Sequence, residues 1–257
     1  MLSMETALLI TVYALLGATV GSFLNVCIDR LPSGQSLIKP PSHCPSCGYR
    51  LKPRDLIPIV SYLRLHGKCR ICRASIPRRI LLVECFSAAL FTFLMWRFDP
   101  GSHLAIATVY TCLLLVIAVI DVEHSLILNR LTYPGIALAL LLSTFLPDVG
   151  ILRSLLGSVV GMALIVLIIL CSRGGMGMGD AKMAAMLGAM LGFPVVLLGL
   201  LIAVVAGGLT AAILLALKLR GRRDRIPFGP FLALGGWVAL VYGQEILRWY
   251  LGGNWTT

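Results

Sequence analysis

The chain has 257 residues, 58% of them hydrophobic and only 13% charged, with a mean hydropathy of +0.93. Soluble domains carry roughly 25% charged residues, so a soluble globular protein, a disordered chain and a small secreted domain are all excluded. The class that remains is an all-α polytopic membrane protein, and the net charge of +11 has to be judged by where it lies.

Apolar stretches near bilayer length predict eight spans, at about 6–26, 80–96, 103–121, 131–147, 153–171, 180–193, 195–217 and 228–249. The sixth is short and rich in Met, with Gly192 to Pro194 as its turn. Only Glu5 precedes the first span while Asp29 and Arg30 follow it, the reverse of a cleavable signal peptide. Residues 27–79 hold eleven Lys and Arg. If that loop is cytoplasmic, Arg130, Arg173, Lys182 and the five cations of Lys218–Arg225 fall on the same side, leaving Arg97, Arg153 and Arg248 outside. A split of 19 to 3 follows the positive-inside rule and puts both termini on the outer side. The basic charge is therefore a topology signal, and no nucleic-acid partner is expected. The predicted organisation is a first transmembrane helix (1–26), a cytoplasmic cysteine loop domain (27–79) and a membrane-embedded domain (80–257).

The loop carries Cys44-Pro-Ser-Cys47 and Cys69-Arg-Ile-Cys72, two CxxC pairs that can each form a knuckle. Four thiolates at the corners of a tetrahedron suit a structural Zn²⁺ with no open coordination position. Stable disulfides are disfavoured in the cytoplasm, and reduced thiols or a redox switch are the competing readings. Gly48 suits the turn that closes the first knuckle. Cys27, Cys85, Cys112 and Cys171 lie in apolar sequence and read as small hydrophobes.

Acids at membrane depth are costly and mark function by default. Glu84 opens the second span, either as a functional group or as the partner of an arginine at the membrane edge. Asp121 closes the third span and Asp180 opens the sixth after Gly174, Gly175, Gly177 and Gly179. Both then stand at the cytoplasmic face, where the two carboxyls can meet. Two close carboxyls do not both ionise readily, so one holds a proton while the other takes one from water, the logic of an aspartic protease. A membrane-edge charge pair or a transporter relay is the alternative. Gly17…Gly21, Gly157…Gly161 and Gly188…Gly192 have the spacing of close helix packing, and Met176, Met178, Met183, Met186 and Met190 read as packing beside Asp180. His124 lies within reach of Asp121 but reads first as an interfacial histidine.

Taken in order, these residues resemble the type IV prepilin peptidases of the GxGD aspartic membrane proteases over nearly the whole chain. The resemblance is carried by Gly21-Ser-Phe-Leu-Asn-Val26, Arg30-Leu-Pro32, the two CxxC pairs, Gly67-Lys68-Cys69-Arg70, Val83-Glu84, Ile120-Asp121, Gly177-Met-Gly-Asp180 with Lys182, and Ile226-Pro-Phe-Gly-Pro230. It implies catalytic roles for Asp121 and Asp180, and a zinc loop built on Cys44, Cys47, Cys69 and Cys72. It also implies roles for Gly67, Lys68 and Glu84 in N-methylation with S-adenosylmethionine as methyl donor. Leu128-Asn129 depart from the Pro-Asp found in many members. The implied protein sits in the bacterial inner membrane, cuts the leader from type IV prepilins or type II secretion pseudopilins at the cytoplasmic face, and methylates the new amino terminus. The competing readings are a peptidase without methyl transfer, an ion-coupled transporter and a non-catalytic zinc-bearing scaffold.

Overall fold

A computed structural model describes residues 4–171, 176–219 and 226–250. Among them the regular structure is helical: α1 (Met4–Arg30), α2 (Val60–Arg64), α3 (Arg78–Arg97), α4 (Ser102–His124), α5 (Asn129–Ser143), α6 (Gly150–Cys171), α7 (Met178–Leu191), α8 (Val195–Ala216) and α9 (Gly229–Tyr250). Each of the eight predicted spans is a helix. Six of them (α1, α3, α4, α6, α8 and α9) are long and apolar enough to cross a membrane. The helices at the fifth and sixth spans, α5 and α7, have only 15 and 14 residues. Gly174, Gly175, Arg173 and Arg220–Arg225 lie outside the described residues.

The chain divides into two compact units, residues 1–108 and 109–257. The core of the first is the α1–α3 pair. Gly17 and Gly21 let the backbones approach: a Cβ on Gly21 would stand 2.0 Å from Ser87 Oγ, and one on Gly17 2.8 Å from Phe91 Cβ. The Ser87 hydroxyl donates to the Gly17 carbonyl at 2.6 Å, so the small residues make room for both packing and a helix–helix hydrogen bond. Between α1 and α3 the cysteine loop folds as two short turns, each closed by a bridge pair, His43 with Arg50 and Lys68 with Ser75.

In the second unit α7 is the central helix, packed by α5, α6, α8 and α9. Nearly every residue from Asp180 to Leu191 is buried. This explains why α7 is short and built of Ala, Gly and Met: it faces protein, where backbones must come close, and not lipid. A Cβ on Gly188 would lie 2.0 Å from the Gly157 carbonyl oxygen, and one on Gly161 2.6 Å from that of Ala184. Met183, Met186 and Met190 are fully buried, in line with their reading as packing, whereas Met178 is exposed. On α6, Leu152, Val159 and Leu170 are exposed, the signature of a lipid-facing surface.

Candidate functional site

Two clusters of candidate side chains form, one in each unit. In the second unit, Asp121 near the end of α4 and Asp180 in the first turn of α7 are 4% and 9% exposed. Each carboxylate is held by the backbone amide of a glycine at a helix start. Gly229, the first residue of α9, donates to Asp121 Oδ2 at 2.8 Å, and Gly177, which caps α7, donates to Asp180 Oδ2 at 3.0 Å. The second contact is a side chain at the third helical position reaching back to the cap, which fixes its rotamer. A side chain at Gly229 would crowd the first contact, because a Cβ there would lie 2.6 Å from Asp121 Oδ2.

Around the pair, Gly179 abuts Ile127, and Lys182 donates to Asn129 Oδ1 at 2.9 Å. Asn129 opens α5, so this bond ties the starts of α5 and α7 together at the position where the Pro-Asp pattern is replaced. His124 is exposed, and the Asp121 carboxylate is oriented by Gly229 instead.

In the first unit the four loop cysteines converge. Their sulfurs all lie within 4.8 Å of one another, with Cys44 and Cys72 at 3.8 Å and Cys47 and Cys69 at 4.0 Å. A tetrahedral zinc with Zn–S bonds of about 2.3 Å has sulfur–sulfur edges of about 3.8 Å, so the donor set fits Zn²⁺ in kind, number and spacing. The two knuckles are built alike. The amide of Gly48 donates to the Cys44 carbonyl, and that of Arg73 to the Cys69 carbonyl. The amides of Cys44 and Cys69 donate in turn to the carbonyl one residue later, Tyr49 and Ala74. Gly48 and Arg73 occupy the same left-handed position, with φ of 69° and 60°. The glycine expectation therefore holds in one knuckle, while arginine bears the strain in the other.

Backbone amides of Cys47 and Ser46 pull the Cys44 thiol down to about 6, and those of Cys72 and Ile71 lower that of Cys69. Cys47 is pushed the other way, to about 11: the Tyr49 amide favours its thiolate, but desolvation and the crowding of neighbouring sulfurs outweigh it. Four thiolates this close need a cation to ionise together. Beneath the knuckles, Arg70 pairs with Asp55, whose carboxylate is 1% exposed. Desolvation raises the Asp55 pKa, but the hydrogen bonds and charge of Arg70, with the Lys52 amide, hold it below the usual carboxylate range.

The three residues that resemblance links to methylation are dispersed differently. Glu84 is 4% exposed and accepts the Ile59 amide at 2.7 Å. Gly67 makes a turn with φ of 65° against Tyr62, where an added Cβ would meet the phenol oxygen at 2.8 Å. Lys68 is exposed and pairs with Ser75 through its backbone. Glu84 lines a cavity of about 540 Å³ within the first unit. Gly67 and Lys68 do not line it, although Leu65 and Cys69 beside them do. The sequence motifs contain Asn25, Arg70 and Gly229 but assign them no role, and Asp55 lies outside every motif. A polar Asn in an apolar span was the one available signal for the first; the others depend on contacts distant in sequence.

Comparison with known proteins gives matches to two family models: the Bacterial Peptidase A24 N-terminal domain over residues 15–98 and the Type IV leader peptidase family over residues 108–212. A protein of Pseudomonas aeruginosa named prepilin leader peptidase/N-methyltransferase is 35% identical, covering 92% of this chain and 91% of the relative. Proteins of the same name from Stutzerimonas stutzeri and Bacillus subtilis are 34% and 32% identical, covering 92% and 95% of this chain and 91% and 98% of the relatives. No solved structure matches the chain. With such identity along almost its full length, and with six helices fit to cross a bilayer, the chain is a multi-pass membrane enzyme and belongs to the type IV leader peptidase family.

Proposed function

We propose that the protein removes the leader from type IV prepilins or pseudopilins with Asp121 and Asp180, and then methylates the exposed amino terminus. The observation that carries the peptidase half is the pair of buried carboxyls, each oriented by a glycine amide at a helix start. With one carboxyl ionised and its neighbour protonated, the first takes a proton from water as the oxygen attacks the scissile carbonyl. The second protonates the carbonyl oxygen, and collapse of the tetrahedral carbon delivers a proton to the departing amine. No covalent intermediate is needed. The glycine amides supply fixed donors where negative charge rests, which keeps the carboxyls aligned between turnovers.

The charge asymmetry of the sequence supports a cytoplasmic face for this site, outward termini and an inner-membrane location. Cys44, Cys47, Cys69 and Cys72 would hold a structural zinc, which supplies cross-linking of the two knuckles and no open coordination position. The methyl half is read from the relatives' names together with the buried Glu84 of the first unit. Bound S-adenosylmethionine would supply an electrophilic methyl group to the new terminal amine, and Gly67, Lys68 and Glu84 are the residues that the resemblance links to that step.

Co-expression with a model prepilin tests both halves by intact mass of the pilin. The wild type is expected to give a leader-length mass loss plus one methyl. Asp121→Asn and Asp180→Asn are expected to leave the prepilin uncut while still accumulating in the membrane. Retained cleavage in either variant refutes the acid pair; cleavage without the added methyl refutes the transferase half.

A further inference from the structure

We propose that residues 56–64 of the cysteine loop lie in the headgroup layer of the bilayer, where Val60 and Leu63 dip into lipid and the neighbouring cations meet anionic phosphates. The sequence reads residues 27–79 as one cytoplasmic loop, with no apolar stretch long enough to span.

For a helix in water, α2 is built inside out. Ser61 is buried and its hydroxyl donates to the Arg54 carbonyl at 2.9 Å, while the Tyr62 hydroxyl donates to the Ile76 carbonyl at 3.4 Å. Val60 and Leu63, neighbours on one helix face, are instead 56% and 59% exposed. A surface helix in water has the reverse arrangement, polar residues outward and aliphatic ones inward. Leu56 and Ile57 are exposed as well, but they also line the cavity of this unit. The outward face is therefore carried by Val60 and Leu63, which do not line it.

The connection to α3 sets the depth of this face. With 20 residues α3 is about 30 Å long, the thickness of the hydrocarbon core, so none of its length is spare. Glu84 lies about 9 Å along α3 from its first residue, Arg78. Its carboxylate accepts the Ile59 amide at 2.7 Å and holds this β-branched residue at φ 62°, a conformation such residues avoid. Even with the glutamate reaching back toward the helix start, Ile59 stays beside the first two turns of α3, and Val60 follows it directly. At that height α3 exposes Leu82 and Phe86, so α2 presents its aliphatic face at the level where a spanning helix turns apolar side chains to lipid. The backbone from Leu56 to Ile59 is irregular, and bare amides are not tolerated in hydrocarbon, so the segment goes no deeper than the headgroup layer.

Charge selects the occupant. Between Lys39 and Arg97 the only acids are Asp55 and Glu84, and both carboxyls are buried. Lys52, Arg54, Arg64 and Lys68 flank the segment and are exposed. Aliphatic residues flanked by cations, with no exposed acid, match an anionic lipid surface, whereas a nucleic acid would leave Val60 and Leu63 in water.

The test uses the full-length protein in nanodiscs of phosphatidylcholine and phosphatidylglycerol holding one chain each. Leu63→Trp adds an indole to the outward face, read as the emission difference from the wild type, whose 4 tryptophans are common to both. With lipid brominated high on its acyl chains, most of the added emission is expected to be lost, while acrylamide in the water spares most of it. A single chromatographic peak of wild-type size reports that a variant is folded, and Val60→Trp is the second site if Leu63→Trp is not. Val60→Trp combined with Leu63→Asp is expected to reverse the pattern, because a carboxylate drives the face out of lipid. Added emission that acrylamide removes and brominated lipid spares, in either single variant, overturns the proposal and leaves this face to a protein partner. Quenching by brominated lipid that Leu63→Asp does not relieve overturns it as well, since lipid contact would then not depend on this face. No prepilin or methyl donor enters the measurement, so its failure leaves the proposed function untouched.

Discussion

Replacing Gly229 by Ala tests whether the acid pair depends on its backbone supports. The new Cβ would stand 2.6 Å from Asp121 Oδ2, 3.0 Å from its Cγ and 3.1 Å from its Cβ, where ordinary contacts begin at 3.4 Å. The close contact is to a carboxyl anchored at 2.8 Å by the same residue's amide, so relief requires the carboxyl to retreat by about 0.8 Å or α9 to shift. A displacement near 1 Å in a reacting group costs roughly 100-fold in rate. Cleavage by Gly229→Ala is therefore expected to fall between about 10- and 100-fold in kcat. Single-turnover cleavage of a model prepilin in membranes, followed by intact mass, measures it. Methylation of a pre-cleaved peptide is expected to stay near wild type, since Gly229 belongs to the second unit. A cleavage rate within about twofold of wild type would refute the view that this contact sets the position of Asp121.

The metal reading predicts close to one zinc per purified chain by elemental analysis. Cys44→Ser or chelation is expected to depress methylation more than cleavage, and a metal-free protein with full activity would contradict it. Gly188→Ala puts a Cβ 2.0 Å from the Gly157 carbonyl oxygen, a backbone atom that cannot rotate away. Overpacking of about 1–3 kcal/mol should appear as a lower thermal midpoint in detergent, and an unchanged midpoint would show that α6 and α7 have slack. Arg70→Ala strips Asp55 of its partner. Because the folded Asp55 pKa is depressed, its stabilisation is present above the ordinary carboxylate pKa of about 4 and is lost as pH falls through the folded value. The stability gap between wild type and variant is accordingly expected at neutral pH and should close on acidification. A gap that persists in acid would mean that the arginine acts by packing alone.

What the sequence determined by itself follows from short-range rules. Eight apolar stretches give eight helices because apolar length is a local property, and the CxxC pairs give knuckles because a four-residue spacing suffices to turn the chain and bring two thiols together. The spacings Gly17…Gly21, Gly157…Gly161 and Gly188…Gly192 were likewise legible, whereas the packing of Gly157 on Gly188 was not. Asp121 and Asp180 stood out because a carboxyl set in apolar sequence is costly to desolvate, which makes it a functional candidate by default. Tertiary structure alone decided what each of these groups touches. That α7 is a central helix wrapped by four others, that Gly229 holds Asp121 across 108 positions, and that Arg70 pairs with Asp55 are facts about distant segments. Asn25 is the sharpest case. Its place in the first span was plain, but only the packed arrangement sets its nitrogen on the carbonyls of Gly21 and Ile80, the latter 55 residues away, and leaves its oxygen buried without a partner among the described residues. Hydrogen-bond satisfaction is a property of the packed arrangement, and no local pattern encodes it.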